Sequence, residues 1–133
     1  MSYLQQLTLA FLLLAPIAAA PAMAEQTPIE IELSSTGELP DFSGMVVISE
    51  TRTGEEVLSV RVNSPLPSGT TARITYVKGG EEYDLAVATF KVGSALFEIV
   101  DTGEPTGIFP TIKIDAFFVY FKNTRVLEAK NSY

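Results

Sequence analysis

Carboxylates are the side chains of this sequence whose spacing could do chemistry. Glu55-Glu56, Glu81-Glu82 with Asp84, and Asp101 with Glu104 form three clusters. Oxygen donors of this kind suit calcium, a hard cation that gathers several carboxylate and carbonyl oxygens. Asp101 and Glu104 are the candidate metal pair, because they share the longest turn-rich stretch, residues 101–107, closed by Ile108-Phe109-Pro110. None of the clusters follows the ordered D-x-[DN]-x-[DN]-G ligand pattern. Adjacent acids at hairpin turns read first as solvated charge that also discourages edge pairing. Paired carboxylates hydrolyse glycosides when two of them flank the scissile bond. The chain has no Trp to serve as a sugar platform. Tyr76 and Tyr83 are the alternative stacking pair, but they fall opposite each other on an apolar face and read as core or rim.

The missing residue types exclude more. Without His or Cys, a Ser-His-Asp triad, a cysteine nucleophile and the usual zinc or copper sites are ruled out. No disulfide framework exists either. The sequence therefore points to a protein that is not an enzyme and uses no cofactor. Its net charge of −7 argues against nucleic acid and anionic membrane as partners, since both attract basic surfaces.

The elements that must carry any site begin after residue 24. Residues 7–20 are rich in Leu and Ala, and Pro21-Ala22-Met23-Ala24 has the small–x–small form read by a signal peptidase. Residues 1–24 are thus expected to be a cleaved signal peptide, and the product to be exported, periplasmic or extracellular. The apolar run is short for a membrane span. Residues 25–133 then form one domain.

Within it, Ile29-Glu30-Ile31-Glu32-Leu33 alternates as a half-buried strand does. The alternation resembles the donor strands of chaperone–usher pilins, but their cysteine pair is absent. An ordinary first strand accounts for it. Residues 34–43 read as a loop. Residues 45–50 and 57–62 form a hairpin closed by Arg52-Thr53-Gly54, which pairs Ile48 with Leu58 and Val46 with Val60. Two prolines make residues 63–69 a crossover. An exposed loop at 64–68 is also the form a protease-inhibitor bait takes.

Gly79-Gly80 suits a two-residue type I′ turn between Thr71–Lys78 and a strand from Glu81 to Val92. This register pairs Tyr76 with Tyr83, Ile74 with Leu85, Ala72 with Val87 and Thr75 with Asp84, and sets Arg73 diagonal to Asp84. Farther along, the apolar parity slips, which predicts a β-bulge near residues 86–88. Gly93-Ser94 is expected to be a type II′ turn pairing Phe90 with Phe97, Ala88 with Ile99 and Val92 with Ala95. A three-stranded meander would result.

The most apolar run, residues 112–121, reads as a central strand with Ile112, Ile114, Ala116, Phe118 and Tyr120 facing the core. Its other row, Phe117, Val119 and Phe121, is the interface candidate, offered to a protein partner or a second copy if it faces outward. A bulge near Asp115, or coverage by residues 34–43, would instead make it core. A last strand, residues 126–129, follows a turn.

About seven to eight short strands with turn signals between them define an all-β domain, read as a single immunoglobulin-like antiparallel β-sandwich. The expected role is an exported non-enzymatic domain that works by protein–protein contact or as a structural component. A calcium- or carbohydrate-binding module using the 101–110 loop is the alternative, with a protease inhibitor behind it.

Overall fold

A computed structural model describes residues 27–131, so the signal segment, residues 1–24, lies outside the described residues. Eight strands account for most of the described chain: β1 (Ile29–Ser35), β2 (Ser43–Glu50), β3 (Glu56–Asn63), β4 (Thr71–Lys78), β5 (Glu81–Thr89), β6 (Ser94–Val100), β7 (Ala116–Phe121) and β8 (Thr124–Lys130). All pairings are antiparallel, in the order β5-β4-β7-β8-β1-β2-β3-β6. The all-β class and the strand count agree with the sequence reading. The order divides into two four-stranded halves, because β1 meets β8 only through Ser34–Glu128 and Ser35–Leu127.

Local sequence explains most of the ladders. β2 and β3 pair Ile48 with Leu58 and Val46 with Val60, as the apolar alternation requires. The loop between them turns on Gly54 at φ 88°. β4 and β5 pair Tyr76 with Tyr83 and Thr75 with Asp84 around Gly79 and Gly80, both at positive φ. The bulge falls one residue earlier than expected. Ile74 faces Ala86 and Thr75 faces Asp84, so Leu85 is the extra residue, and the expected Ile74–Leu85 and Ala72–Val87 pairs are displaced to Ile74–Ala86 and Ala72–Ala88.

The buried cluster takes side chains from both halves: Val46, Leu58, Val60 and Val62 from one, and Ile74, Phe117, Val119 and Leu127 from the other. Phe42, in the 36–42 loop, covers one end and meets Phe90 edge-on at 6.4 Å and Phe121 at 5.5 Å. Gly44 is required by close packing. A Cβ there would lie 2.5 Å from the Arg61 carbonyl oxygen and 2.8 Å from Leu33 Cδ1.

Two expectations are overturned. The first is the meander, because β6 pairs with β3, not β5: Phe97 faces Val60, Ile99 faces Leu58 and Ala95 faces Val62. The reason lies in the turn. Val92 and Gly93 both adopt positive φ, 52° and 80°, the type I′ pattern, and only Lys91 and Ser94 bridge across it. The Phe90 amide donates to the Thr70 carbonyl and its own carbonyl accepts from Gly69 N–H, while Ser64 N–H donates to the Gly93 carbonyl. The chain is thus tied to the 64–70 crossover and passes from one half of the sheet to the other.

The second concerns the run 112–121. A 3₁₀ turn, Thr111–Lys113, interrupts it, and the strand begins only at Ala116. Glu56 accepts hydrogen bonds from the Thr111 amide and hydroxyl. Asn131 donates its side-chain amide to the carbonyls of Thr111 and Ile114 at 3.0 and 2.9 Å. These contacts fix the turn, leaving Ile112 exposed and Ile114 buried. Parity changes after Ile114, so Phe117 and Val119 point inward. Phe118 and Tyr120 point outward.

Candidate functional site

The sequence-derived candidates are dispersed. Phe117 and Val119 are fully buried, and Phe121 is partly buried against the cluster, so in one copy of the chain this row is core. Asp101 turns its carboxylate onto its own loop, accepting from the Gly103 amide at 2.9 Å, and Glu104 lies exposed beside it. Among the described residues, no group of three or more acidic residues is arranged to hold a metal ion. The 101–110 loop is anchored by Lys78 Nζ, which donates to the Gly107 carbonyl at 3.0 Å, and by Ile108, which is buried. Tyr76 and Tyr83 stack at 5.4 Å, one in the core and the other at its rim. The proline loop is tied down as well: Ser64 is buried, and Ser68 Oγ accepts from the Val92 amide at 3.1 Å.

The outward face of β5-β4-β7-β8 carries a connected network that depends on the inverted parity of β7. Tyr120 Oη donates to Glu82 at 2.7 Å and accepts from Arg125 Nε and Nη2 at 3.3 and 3.0 Å. Thr75, fully buried beneath, donates to the same Glu82 oxygen at 2.6 Å. Arg125 lies 3.7 Å above the Phe118 ring, and Arg73 lies 4.4 Å above Tyr120 while pairing with Asp84 at 3.0 Å. The hydrogen bonds from Thr75 and Tyr120 hold the Glu82 carboxyl below its usual range, and Arg125 and Arg73 add to the shift. The hydrogen bond to Tyr120 raises Arg125, with the Glu82 and Glu128 charges in support. Two surface depressions, of about 450 and 580 Å³, flank Arg125 and Glu128. Of this network, only the Arg73–Asp84 diagonal could be read from the sequence. The rest needed Phe118 and Tyr120 on the outside.

The exposed apolar side chains are concentrated elsewhere. Six large ones stand out among the described residues: Leu39, Tyr83, Val87, Val92, Leu96 and Ile112. Four of the six belong to β5, β6 or the turn between them. Val92 is 94% exposed and sits in the left-handed region, which a β-branched residue adopts only under strain. β5 and β6 are also the ends of the strand order, so each has one edge without a ladder partner.

No family model, curated protein or solved structure matches the chain. What the chain does must therefore be argued from its own surface. No helix among the described residues is long and apolar enough to cross a membrane.

Proposed function

We propose that this is an exported, non-enzymatic β domain that acts through protein–protein contact, and that β5, β6 and their turn form the contact surface. The reading is supported by one observation: Tyr83, Val87 and Leu96 stand exposed on the two strands that lack an outer partner, and Val92 on the turn between them. Strain at an exposed residue fits a functional position, and four of the six exposed large apolar side chains among the described residues fall on these two strands and their turn. The two halves would serve as facing leaves of a sandwich. An immunoglobulin constant domain orders its first sheet first-second-fifth-fourth strand. Here the corresponding order is first-second-third-sixth, so any immunoglobulin likeness is one of layering.

The role can be tested by placing a photo-cross-linking side chain at Val92, Leu96 or, as a control, Ile112, which is at least as exposed as Leu96. Protein adducts from the first two positions and none from Ile112 are expected in the exported fraction. Equal labelling from all three, or recovery of the chain only in the cytoplasm with residues 1–24 retained, would count against the proposal.

A further inference from the structure

We propose that the partner at this surface is a second copy of the chain, joined by antiparallel pairing of β6 with β6 about a two-fold axis at Phe97; this rests on the contact role proposed above. The two free edges differ. β5 is guarded in the ways edge strands commonly are: three of its first four residues are Glu81, Glu82 and Asp84, and the extra residue at Leu85 bends it. β6 has no such guard. All seven of its residues run in register with β3, it contains no Pro or Gly, and Glu98 is its only charge.

The charges around β6 choose the occupant. Glu98 and Asp101 lie toward one end of the strand, whereas Arg61, paired with Leu96, and Lys91, bridged to Ser94, lie toward the other. An antiparallel two-fold axis brings the acidic end of one copy against the basic end of its mate. With Phe97 facing Phe97, Leu96 of one copy stands opposite Glu98 of the other, and Ala95 stands opposite Ile99. Arg61 is the next residue across the same outward row from Leu96, so it approaches the mate's Glu98 over the Leu96 side chain. Lys91 already exchanges backbone hydrogen bonds with Ser94 on this edge, so the ladder between copies runs through Leu96 and Glu98 and stops at Lys91, near the mate's acidic end. A two-fold contact has to be self-complementary in this way. The net charge of −7 opposes association only weakly at physiological salt, where charges more than about 8 Å apart are screened.

Leu96 becomes covered by the pairing, and Phe97 and Ile99, partly buried in one copy, lose their remaining exposure. Val92 is carried toward the end of the mate that holds Tyr83. A parallel pairing, or an acidic strand from another protein, would lack the charge match.

The test is sedimentation equilibrium on the chain without residues 1–24, with amide hydrogen exchange along β6. A mass twice that of the chain is expected, with the Leu96 and Glu98 amides, which face the free edge, protected in proportion to dimer. Arg61→Glu should weaken association by about tenfold or more, and Arg61→Glu combined with Glu98→Arg should restore it. Leu96→Glu, at an outward position that leaves the core intact, sets like charges opposite each other across the ladder and should give a folded monomer. A monomer at all accessible concentrations overturns the proposal, as does a dimer that tolerates Leu96→Glu or a double variant as weak as the single one. Cross-links from Leu96 to a different protein, together with a monomeric mass, would leave the contact role standing and remove the self-pairing.

Discussion

The inverted parity of β7 makes a reciprocal prediction for neighbouring residues. Phe117 is fully buried and faces Tyr76 on one side and Ala129 on the other. Phe118 is half-buried on the outer face, with Arg125 3.7 Å above its ring. Truncating a fully buried Phe to Ala loses the transfer free energy of the ring and leaves a cavity, costing about 3–5 kcal/mol. Truncating Phe118 loses one partly exposed cation–π contact and part of an already wet surface, about 1 kcal/mol. For a domain of this size, each kcal/mol moves the midpoint by roughly 4–8 °C, so Phe117→Ala should melt at least about 12 °C lower and Phe118→Ala within about 8 °C of the parent. Urea unfolding followed by far-UV circular dichroism measures both. The assay does not need the indole fluorescence this chain lacks. If Phe118→Ala is the more damaging change, or Phe117→Ala costs under about 1 kcal/mol, β7 faces the other way and the outward network does not exist.

Four further outcomes follow from packing, strain and charge. Gly44→Ala should destabilise the domain by about 1–3 kcal/mol through overpacking; combining it with Leu33→Ala should not rescue it, because the 2.5 Å contact with the Arg61 carbonyl remains. Val92→Asn, in the left-handed turn position, should raise the unfolding free energy by about 1 kcal/mol, while weakening any contact made by that tip. Glu82 has a depressed pKa, so its stabilising contribution is present above the usual carboxylate value of about 4.5 and is lost as pH falls through the lower folded value. Glu82→Gln should therefore flatten the acid limb of a urea-midpoint profile below that pH; an unchanged slope would show that Tyr120 and Thr75 do not hold the carboxylate. Glu56→Ala removes the acceptor of the buried Thr111 amide and hydroxyl, and should cost about 1–3 kcal/mol, with amide exchange accelerated first across residues 108–114.

Local chemistry wrote the hairpins plainly. Gly79-Gly80 and Gly54 specify their turns because few other residues accept positive φ, and alternation on each side then fixes the register. Those turns and the pairs next to them agree with the structure, including Tyr76–Tyr83 and the Arg73–Asp84 diagonal, now an ion pair of 3.0 Å; beyond the extra residue at Leu85 the β4–β5 pairs are shifted by one. Longer-range competition was not written locally. Whether β6 pairs with β5 or β3 depends on the 64–70 crossover capturing Phe90 and Gly93, backbone contacts that leave no mark in side-chain pattern. The run 112–121 misled for a similar reason. Its apolar residues favour strand, but Glu56 and Asn131, far away in sequence, hold residues 111–114 in a 3₁₀ turn. Everything after that turn is consequently rotated by one residue. The outward network of Phe118, Tyr120 and Arg125 was hidden with it.

The same capture that defeats the meander leaves both strand edges free, the surface proposed for contact. A Val-Gly turn with both residues at positive φ joins two strands that would ordinarily zip together, yet only Lys91 and Ser94 bridge. Had β5 and β6 paired, the order would close on itself, and neither strand would keep a free edge. The sequence instead places a β-branched residue at φ 52°, where Gly or Asn would be less strained, and leaves that residue 94% exposed. Stability alone does not favour such a choice. Edge acids and a bulge on β5, set beside a regular and nearly uncharged β6, add a second asymmetry in the same place. Both make physical sense if one edge must reject partners while the other accepts one whose charges run in the opposite direction.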